Sequence, residues 1–377
     1  MNNFFADSIY KYDIKSNIWM RPGFDGIKYS DGDEVEERIY QVISSCCNVS
    51  VLSNELRKHI IDWPSNYHFS SKRANLLRPF KSLLMQSSDI LEIGSGCGAI
   101  TRYLGECGGN ILALEGSFRR ASITRSRTRD LENVSVICEN FDQFNINKKF
   151  DLITLIGVFE YSNLYMQSKD SHFEMLQKVK KMLKPGGKLI IAIENQIGLK
   201  YFAGAAEDHI GKVMYGIENR YKNNQVKTFG RVVIEKLLKS AEFSNINFLA
   251  PYPDYKLPIS IVTEFGFSSS AFNASNLASE SVNHDPQMPK DNYFSMELAY
   301  KVLFSNNLGI DIANSFLIVA SSQSNKSIDS KILAYHYSTD RFEQYCKESK
   351  FIEENNKINV IYKSLNTKAN YDDSSKI

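Results

Sequence analysis

Short apolar runs alternate with segments of helical periodicity from residue 89 onward. The apolar runs are nearly continuous, as in parallel strands that are buried on both faces of a sheet. This alternation predicts an α/β fold in which helices cover both faces of a mostly parallel sheet. The predicted strands are 89–94, 110–115, 134–138, 150–156 and 187–193, and the predicted helices are 98–107, 117–130, 169–183 and 230–241.

The region before this core, residues 1–85, has no sustained strand periodicity. Helical spacing covers 34–45 and 53–61, and Ser53 is suited to cap the second of these helices. An aromatic-rich break at 62–70 precedes a basic helix predicted over 71–84. We therefore predict that residues 1–85 form an N-terminal helical lid or platform.

The region after this core contains two further strand candidates and two long insertions. We expect strands at 245–250 and 315–320, the second of them inserted antiparallel. Loops as long as 196–229 and 251–295 are more often functional than decorative. The predicted core domain is 86–325, and 326–377 is predicted to be a C-terminal β-hairpin extension (strands 344–352 and 358–364) with a flexible tail.

The first predicted strand leads into closely spaced glycines, which is the pattern of a strand, a tight turn and a helix. Glycine tolerates positive φ and lets the backbone approach a ligand closely. Free amides at the start of the next helix can face a polar or negative group. Gly94-x-Gly96-x-x-Ala99 fits the loose dinucleotide fingerprint. Glu92 followed by Gly94-x-Gly96-x-Gly98 fits an S-adenosylmethionine (AdoMet) loop instead.

Polar or small residues stand at the ends of the later strands, where a doubly wound sheet binds its ligand. Glu115 ends the second strand and could accept both hydroxyls of a ribose under either cofactor. Asn140 could recognise an adenine amino group, with Phe141 near the ring. Ile156, Gly157 and Tyr161, at and after the end of the fourth strand, are expected beside the cofactor, and Glu194 and Asn195 lie at the carboxyl end of the fifth strand.

Four segments together resemble the class I AdoMet-dependent methyltransferases over about residues 70–250. They are Leu-Glu-Ile-Gly-Ser-Gly-Cys-Gly, the Glu115 strand, Gly-Val-Phe-Glu-Tyr and Leu-Lys-Pro-Gly-Gly-Lys-Leu-Ile. The resemblance implies a Rossmann-like seven-stranded sheet, mostly parallel with one antiparallel strand, and AdoMet as cofactor. It places Glu92 at the cofactor's ammonium and implies that the cofactor is bound by Gly94, Ser95, Gly96, Gly98, Glu115, Gly116, Asn140, Phe141, Ile156 and Gly157.

Longer patterns resemble a bacterial methyltransferase subgroup that is associated with surface-polysaccharide systems. They are Trp63-Pro-Ser-Asn-Tyr-His-Phe-Ser, Glu194-Asn-Gln-Ile-Gly-Leu-Lys-Tyr-Phe-Ala-Gly and Glu207-Asp-His. The resemblance suggests O-methylation of a sugar-containing or similar small acceptor. Because the site and not the fold sets the substrate, this is weaker evidence than the fold match.

A hydroxyl acceptor is a poor nucleophile at neutral pH, so a general base would help the transfer. His209 is the candidate base, with Asp208 or Glu207 to orient it or raise its basicity. The alternative is that Glu-Asp-His forms an exposed helix start or a hydrogen-bonded turn. Tyr161 is a further catalytic candidate, and the candidate acceptor-binding residues are His68, Tyr67, Asn195 and Tyr201; for His68 a structural or adenine-capping role is favoured over catalysis.

Composition and charge indicate which partners and sites are not expected for this chain. A net charge of +2 gives no reason to expect a nucleic-acid partner. Six cysteines without a C-x-x-C pair, and only six histidines, argue against a structural zinc site, so no metal is predicted. Reduced thiols, the lack of a signal peptide pattern and the lack of a long apolar run predict a cytoplasmic protein without a membrane span.

Five arginines lie in the predicted helix after Glu115. Such a run usually forms a solvated helix face, and the alternative is attraction of a phosphate-bearing acceptor. They are Arg119, Arg120, Arg125, Arg127 and Arg129.

Two other function classes stay open from the sequence. One is an NAD-dependent oxidoreductase, which the glycine spacing and Glu115 allow. The other is a catalytically silent methyltransferase-like subunit that binds a partner through the lid or the C-terminal hairpin. The preferred interpretation is a methyltransferase whose acceptor is a small molecule or a glycan.

Overall fold

The computed structural model describes residues 4–5, 8–28, 32–85, 87–166, 168, 170–323 and 328–366. The chain divides into two compact units, Met1–Ile190 and Ile191–Ile377. The sequence-based boundaries at residues 85 and 325 remain predictions, and the end of the predicted flexible tail lies outside the described residues. Within the described ranges, no helix has both the length and the apolar character needed to cross a membrane.

The first unit is built on a sheet whose central strands are parallel and buried. Strands β3, β4, β5 and β6 pair in parallel in the order β5-β4-β3-β6. Their sequences are nearly continuous apolar runs, as expected for parallel strands that are buried on both faces of the sheet. The full order in this unit is β1-β2-β5-β4-β3-β6-β7. The strands are β1 (Lys11–Asp13), β2 (Ile18–Met20), β3 (Asp89–Ile93), β4 (Asn110–Glu115), β5 (Val134–Cys138), β6 (Phe150–Ile156) and β7 (Leu183–Glu194), the last of which continues into the second unit.

Four helices predicted in the first unit are present, and the other helices predicted before residue 86 differ from the structure. Those predicted at 34–45, 98–107, 117–130 and 169–183 are present with ends shifted by at most three residues. The helices are α1 (Asp33–Ser45), α2 (Asn54–Arg57), α3 (Trp63–Phe69), α4 (Lys72–Asn75), α5 (Ala99–Glu106), α6 (Phe118–Arg127), α7 (Ser162–Tyr165) and α8 (Ser171–Met182), with 3-10 turns at Arg78–Leu83 and Phe159–Tyr161.

The N-terminal region departs from the prediction in four places. The expected aromatic break is the helix α3, which Asp62 caps by accepting the Ser65 amide at 2.9 Å, while Pro64 sits in the first turn where no amide is needed. The basic helix splits into α4 and a 3-10 turn, and α2 spans one turn only, although Ser53 does cap it. The hairpin β1–β2 was too short to predict from periodicity.

The second unit is mainly antiparallel. Beyond β7 its strands pair antiparallel in the order β10-β8-β9-β11-β12-β13. The strands are β8 (Asn245–Tyr252), β9 (Ser260–Thr263), β10 (Ser315–Ser321), β11 (Ile332–Ser338), β12 (Lys347–Glu354) and β13 (Lys357–Ser364); the helices are α9 (Leu199–Phe202), α10 (Arg231–Ser240), α11 (Glu264–Ser268), α12 (Ala274–Ser281) and α13 (Met296–Ser305), with 3-10 turns at Val282–His284 and Glu343–Tyr345.

Part of the predicted fold class is therefore wrong. The described residues contain thirteen strands and not seven, and more than one of them is antiparallel. The predicted insertion 251–295 contributes a strand and two helices of its own. The antiparallel direction of 315–320 and the C-terminal hairpin are confirmed, and Asn355 and Asn356 form the tip of the hairpin with positive φ.

Candidate active site

The three glycines of the loop after β3 have different structural roles. All three have positive φ, at 77°, 55° and 78° for Gly94, Gly96 and Gly98. A Cβ on Gly94 would lie 2.4 Å from Val158 Cγ2, and one on Gly98 would lie 2.9 Å from the Cα of Thr124. A Cβ on Gly96 would meet nothing within 4 Å. Two of the glycines therefore permit close packing, and the middle one borders open space.

Glu92 is a buried carboxylate directly before this loop. Its side chain is in β3 and the residue is 3 % exposed. Burial raises the pKa of Glu92 to about 8; the Thr101 hydroxyl and Arg73 lower it, and Glu115 raises it further. Among the described residues, no donor bonds the Oε2 atom. A buried carboxylate oxygen without a donor fits the ammonium of a cofactor's amino-acid end.

Glu115 binds the glycine loop itself. Its Oε2 accepts the Gly96 amide at 2.8 Å, and its Oε1 accepts the Ser117 amide at 3.0 Å. Burial raises the pKa of Glu115, and these amides together with Arg120 oppose the rise. Each oxygen keeps a further lone pair, so a ribose hydroxyl could still be accepted. The predicted ribose residue thus also fixes the shape of the loop.

Ser95 and Gly116 complete the cofactor candidates around the loop. The Ser95 hydroxyl lies 3.2 Å from that of Thr124, which in turn donates to the Gly96 carbonyl at 2.8 Å. A Cβ on Gly116 would lie 2.6 Å from Ile27 Cδ1. Both residues therefore support the backbone around the loop.

The predicted adenine residues follow β5. Asn140 is half-buried, and its Oδ1 accepts the Asp142 amide at 3.1 Å. Phe141 is buried, with the Lys178 ammonium 4.9 Å from its ring centroid. The same ammonium donates to the Phe141 carbonyl at 2.6 Å. Both residues are held in place, and adenine binding by them stays a prediction.

The end of β6 places three further candidates in the first unit. Ile156 is buried and Gly157 has a φ of 66°. Tyr161 is half-buried and stacks on Tyr165, with ring centroids 5.8 Å apart. A catalytic role of Tyr161 stays a prediction.

His68 lies in a positively charged interior. It is 6 % exposed and its backbone carbonyl accepts a hydrogen bond from the Arg127 guanidinium. Burial, followed by the charges of Arg120, Arg127 and Arg73, lowers the pKa of His68 well below its usual value. The imidazole is therefore neutral, which agrees with a structural role better than with binding an anion. Tyr67 packs edge-on against it.

The arginines after Glu115 form a solvated face only in part, which corrects the sequence-based expectation: Arg120 and Arg127 are buried, whereas Arg119 and Arg129 are exposed. Arg119 and Arg120 pair with acidic residues of α1, and Arg120 reaches Glu36 at 2.7 Å. Arg127 and Arg129 donate to backbone carbonyls of the N-terminal region. Arg125 donates to the Val134 carbonyl at 2.8 Å. These groups stabilise the first unit internally, and a phosphate-binding role for the run has no support.

In the second unit, the partner of His209 differs from both predicted ones. His209 Nε2 lies 3.5 Å from Glu194 Oε2, and the Glu194 side chain is fully buried. Glu207 instead accepts the backbone amides of His209 and Ile210, at 2.9 and 2.6 Å. This is the hydrogen-bonded turn that the sequence left open, and it presents the imidazole to Glu194.

Asp208 belongs to a buried charge cluster of the second unit. Its Oδ2 lies 3.1 Å from Lys200 Nζ and its Oδ1 lies 2.9 Å from Lys256 Nζ. The Tyr201 hydroxyl also donates to it. Burial alone would raise the pKa of Asp208, but the two ammonium groups hold it well below its usual range. Asp208 therefore balances buried cations and is not positioned by any described contact to orient His209.

Sequence reasoning missed most of this cluster. Lys256 Nζ reaches Glu194 Oε1 at 2.6 Å, and the Tyr255 hydroxyl donates to the same oxygen at 3.2 Å. Lys200 also pairs with Asp254 at 2.9 Å. The available signal was Asp254-Tyr-Lys between prolines, since opposite charges inside an apolar aromatic stretch indicate a buried pair.

Asn195 is held by the backbone. Its amide nitrogen donates to the carbonyls of Asp311 and Ala313 at 2.7 and 2.8 Å, and its Oδ1 accepts the Ile197 amide at 3.1 Å. Both amide hydrogens are thereby used and the residue is fully buried. It fixes the loop after β7, and acceptor binding by Asn195 gains no support from these contacts.

Comparison with known proteins places a family match on the first unit. A profile described as "Methyltransferase domain" matches residues 91–189. Demethylmenaquinone methyltransferase of Tropheryma whipplei (strain Twist) is 26% identical over 103 residues, which are 27% of this chain and 40% of that protein. The chain thus spans about two fifths of the length of the curated relatives that it matches.

The chain is similar to solved methyltransferase structures, with low TM-scores. The CcbJ methyltransferase from Streptomyces caelestis has a TM-score of 0.40 at 10% identity, covering 74% of this chain and all of that one (100%). An S-adenosylmethionine-dependent methyltransferase from Clostridium acetobutylicum has a TM-score of 0.38 at 16% identity, covering 72% and 96%. Residues 91–189 are thus similar to a methyltransferase domain, and this similarity supports AdoMet as the cofactor.

Proposed function

We propose that the protein is an AdoMet-dependent methyltransferase that methylates a hydroxyl of a sugar-containing or similar small acceptor. The observation that carries the cofactor part is Glu92, a buried carboxylate with an oxygen that no described donor bonds, beside the open space at Gly96. The family match covers both residues. The acceptor class rests on the resemblance of residues 63–70 and 194–209 to the polysaccharide-associated subgroup.

The first unit would bind and align the cofactor. When bound, AdoMet supplies a methyl group that its sulfonium already activates. Glu92 would hold the ammonium, and Glu115 would accept ribose hydroxyls while it keeps the loop amides in place. Because the methyl group is already activated, the protein's main tasks are alignment of the acceptor and exclusion of water.

His209 would act as the general base. Glu194 lies beside Nε2 of His209, so it favours the tautomer that carries its proton there and makes Nδ1 the basic nitrogen. Nδ1 would then be the atom that accepts a proton from an acceptor hydroxyl. Lys256 and Tyr255 keep Glu194 charged, since burial alone would raise the pKa of Glu194, whereas Lys256 and His209 lower it well below its usual value.

Calorimetric titration of the full chain with AdoMet, with its demethylated product S-adenosylhomocysteine and with NAD tests the cofactor. We expect binding of the first two and none of NAD. Tight NAD binding without AdoMet binding would overturn the proposal in favour of an oxidoreductase.

The acceptor is tested separately with radiolabelled AdoMet. Glycan, nucleotide-sugar and small-molecule pools are screened for methyl uptake that survives as an alkali-stable ether. Cofactor binding without methyl transfer to any pool would favour a catalytically silent subunit.

A further inference from the structure

Helix α13 of the second unit is apolar on two opposite sides. One side packs on the core of that unit through Met296 and Tyr300, which are each 1% exposed. The opposite side carries Leu298 and Val302, which are 69% and 63% exposed. A helix that is apolar around its circumference is ordinarily buried on all sides. The described part of the chain covers only one side of α13, so its other apolar side is available for a partner.

Leu298 and Val302 form a single apolar stripe on an anchored helix. Residues four apart in sequence lie on the same face of a helix, one turn from each other. The helix is capped at its start, where the Ser295 hydroxyl accepts the Leu298 amide at 3.3 Å. It is also bonded to its neighbour, since the Ser279 hydroxyl of α12 donates to the Glu297 carbonyl at 2.9 Å. The stripe is therefore presented by a fixed element of the unit.

The charges beside this stripe complement a second copy of α13. Glu297 and the exposed Lys301 lie on one flank of the stripe, one turn apart. A two-fold axis at residue 300, perpendicular to the helix, pairs α13 with a reversed copy of itself. Leu298 then faces Val302 of the partner subunit, and the two charged flanks lie on the same side in opposite order. Lys301 and Glu297 of the partner subunit stand one and three residues from the axis, so they are about 3 Å apart along the helix.

We propose that the exposed side of α13, formed by Leu298, Lys301 and Val302, is the contact surface of a two-fold dimer of this protein. A two-fold contact joins identical patches, so the patch must complement itself. Here one axis brings apolar residues opposite apolar residues and an acidic residue beside a basic one. A partner of different sequence does not require this symmetry. A helix about 15 Å long gives a contact smaller than the ~800 Å² per partner of stable complexes, so the expected Kd is about 1–100 µM.

Sedimentation equilibrium of the full chain measures the dimer and its Kd. The protein is studied at about 1 to 200 µM, a range that brackets the expected Kd. Leu298→Lys should raise the Kd by at least about 10-fold, because it places a charge in the apolar stripe. Val232→Lys is the matched control, since Val232 is 50% exposed on α10 of the same unit. This control should leave the Kd unchanged.

Two charge variants test the antiparallel pairing. Lys301→Glu makes the flank wholly acidic and Glu297→Lys makes it wholly basic. Each variant alone should dimerise about 10-fold more weakly than the wild type, because like charges then meet across the axis. Mixed in equal amounts, the two variants should form a heterodimer with an affinity within about three-fold of the wild type, since opposite charges meet again. Fluorescence-detected sedimentation with one variant labelled measures the heterodimer.

Each other outcome overturns the dimer. A wild-type protein that is monomeric at the highest concentration does so, as does a dimer that Leu298→Lys leaves intact or a mixture that associates no better than its components. Circular dichroism checks that the variants fold, and Val302→Lys tests the same contact if Leu298→Lys does not. If wild-type monomers bind vesicles of phosphatidylglycerol and phosphatidylcholine, and Leu298→Lys abolishes this binding, the surface contacts a membrane and the dimer is overturned.

Discussion

At the scale of single residues, the most informative group is Glu92. A carboxylic acid with a pKa near 8 is mostly protonated at neutral pH, and an ammonium ligand favours its charged form. The folded protein without ligand therefore holds a proton that the unfolded chain releases at a pKa near 4.5. Its stability contribution is complete below pH 4.5 and is lost as the pH rises through about 8.

This shift predicts proton release on cofactor binding. At pH 7, binding of S-adenosylhomocysteine should release about one proton, because Glu92 ionises against the ammonium. Calorimetry in buffers of different ionisation enthalpy measures the number directly. At pH 9 the release should vanish, and it should be absent in Glu92→Gln at either pH. A buffer-independent binding enthalpy for the wild-type protein at pH 7 would contradict the assignment.

At the scale of secondary structure elements, buried strands were predictable and short polar-capped helices were not. The runs that form β4, β5 and β6 were predicted at their observed ends, since burial on both faces requires continuous apolar sequence. Trp63–Phe69 was mistaken for a break because aromatic residues and proline are weak helix formers, and the cap at Asp62 outweighs them. The α6 arginines were misjudged because periodicity does not show which α1 carboxylates face them.

The α6 ion pairs give a matched test of buried against exposed charge. Arg120 and Glu36 are both buried, whereas Arg119 and Asp33 are 43% and 78% exposed. Arg120→Met should lower the free energy of unfolding by ~3–5 kcal/mol, since it removes the guanidinium that lies 2.7 Å from the buried Glu36 carboxylate. Arg119→Met should cost ~0–1 kcal/mol.

Urea denaturation followed by tryptophan fluorescence reports on this unit. The two tryptophans of the chain, Trp19 and Trp63, both lie in the first unit. Equal effects of the two substitutions would mean that the α1–α6 pairing is not a buried one.

At the scale of the whole molecule, the family match and the charge cluster fall in different units. The match ends at residue 189, and the first unit ends at residue 190. The cofactor candidates lie in the first unit, and sequence motifs located them. The Glu194–His209 pair lies in the second, and its partners come from residues that are remote in sequence, so only the folded structure could identify them.

This division predicts separable effects on binding and transfer. His209→Ala should reduce methyl transfer to the acceptor by ~10²–10⁴-fold, as expected for loss of a general base. The affinity for S-adenosylhomocysteine should stay within two-fold, about the scatter of such measurements. His284→Ala is the control, an exposed histidine of the same unit. Turnover of His209→Ala within a few-fold of wild type would exclude His209 as the base.

The close approach of Gly98 to Thr124 also restricts which substitutions the sequence tolerates. A methyl group at position 98 would push on the α6 backbone. Arg120 in this helix and Arg129 just after it bond Glu36 and the Cys46 carbonyl of the N-terminal region. Substitutions in the cofactor loop, α6 and α1 are therefore coupled, because a substitution that displaces one of these segments alters its contacts with the next.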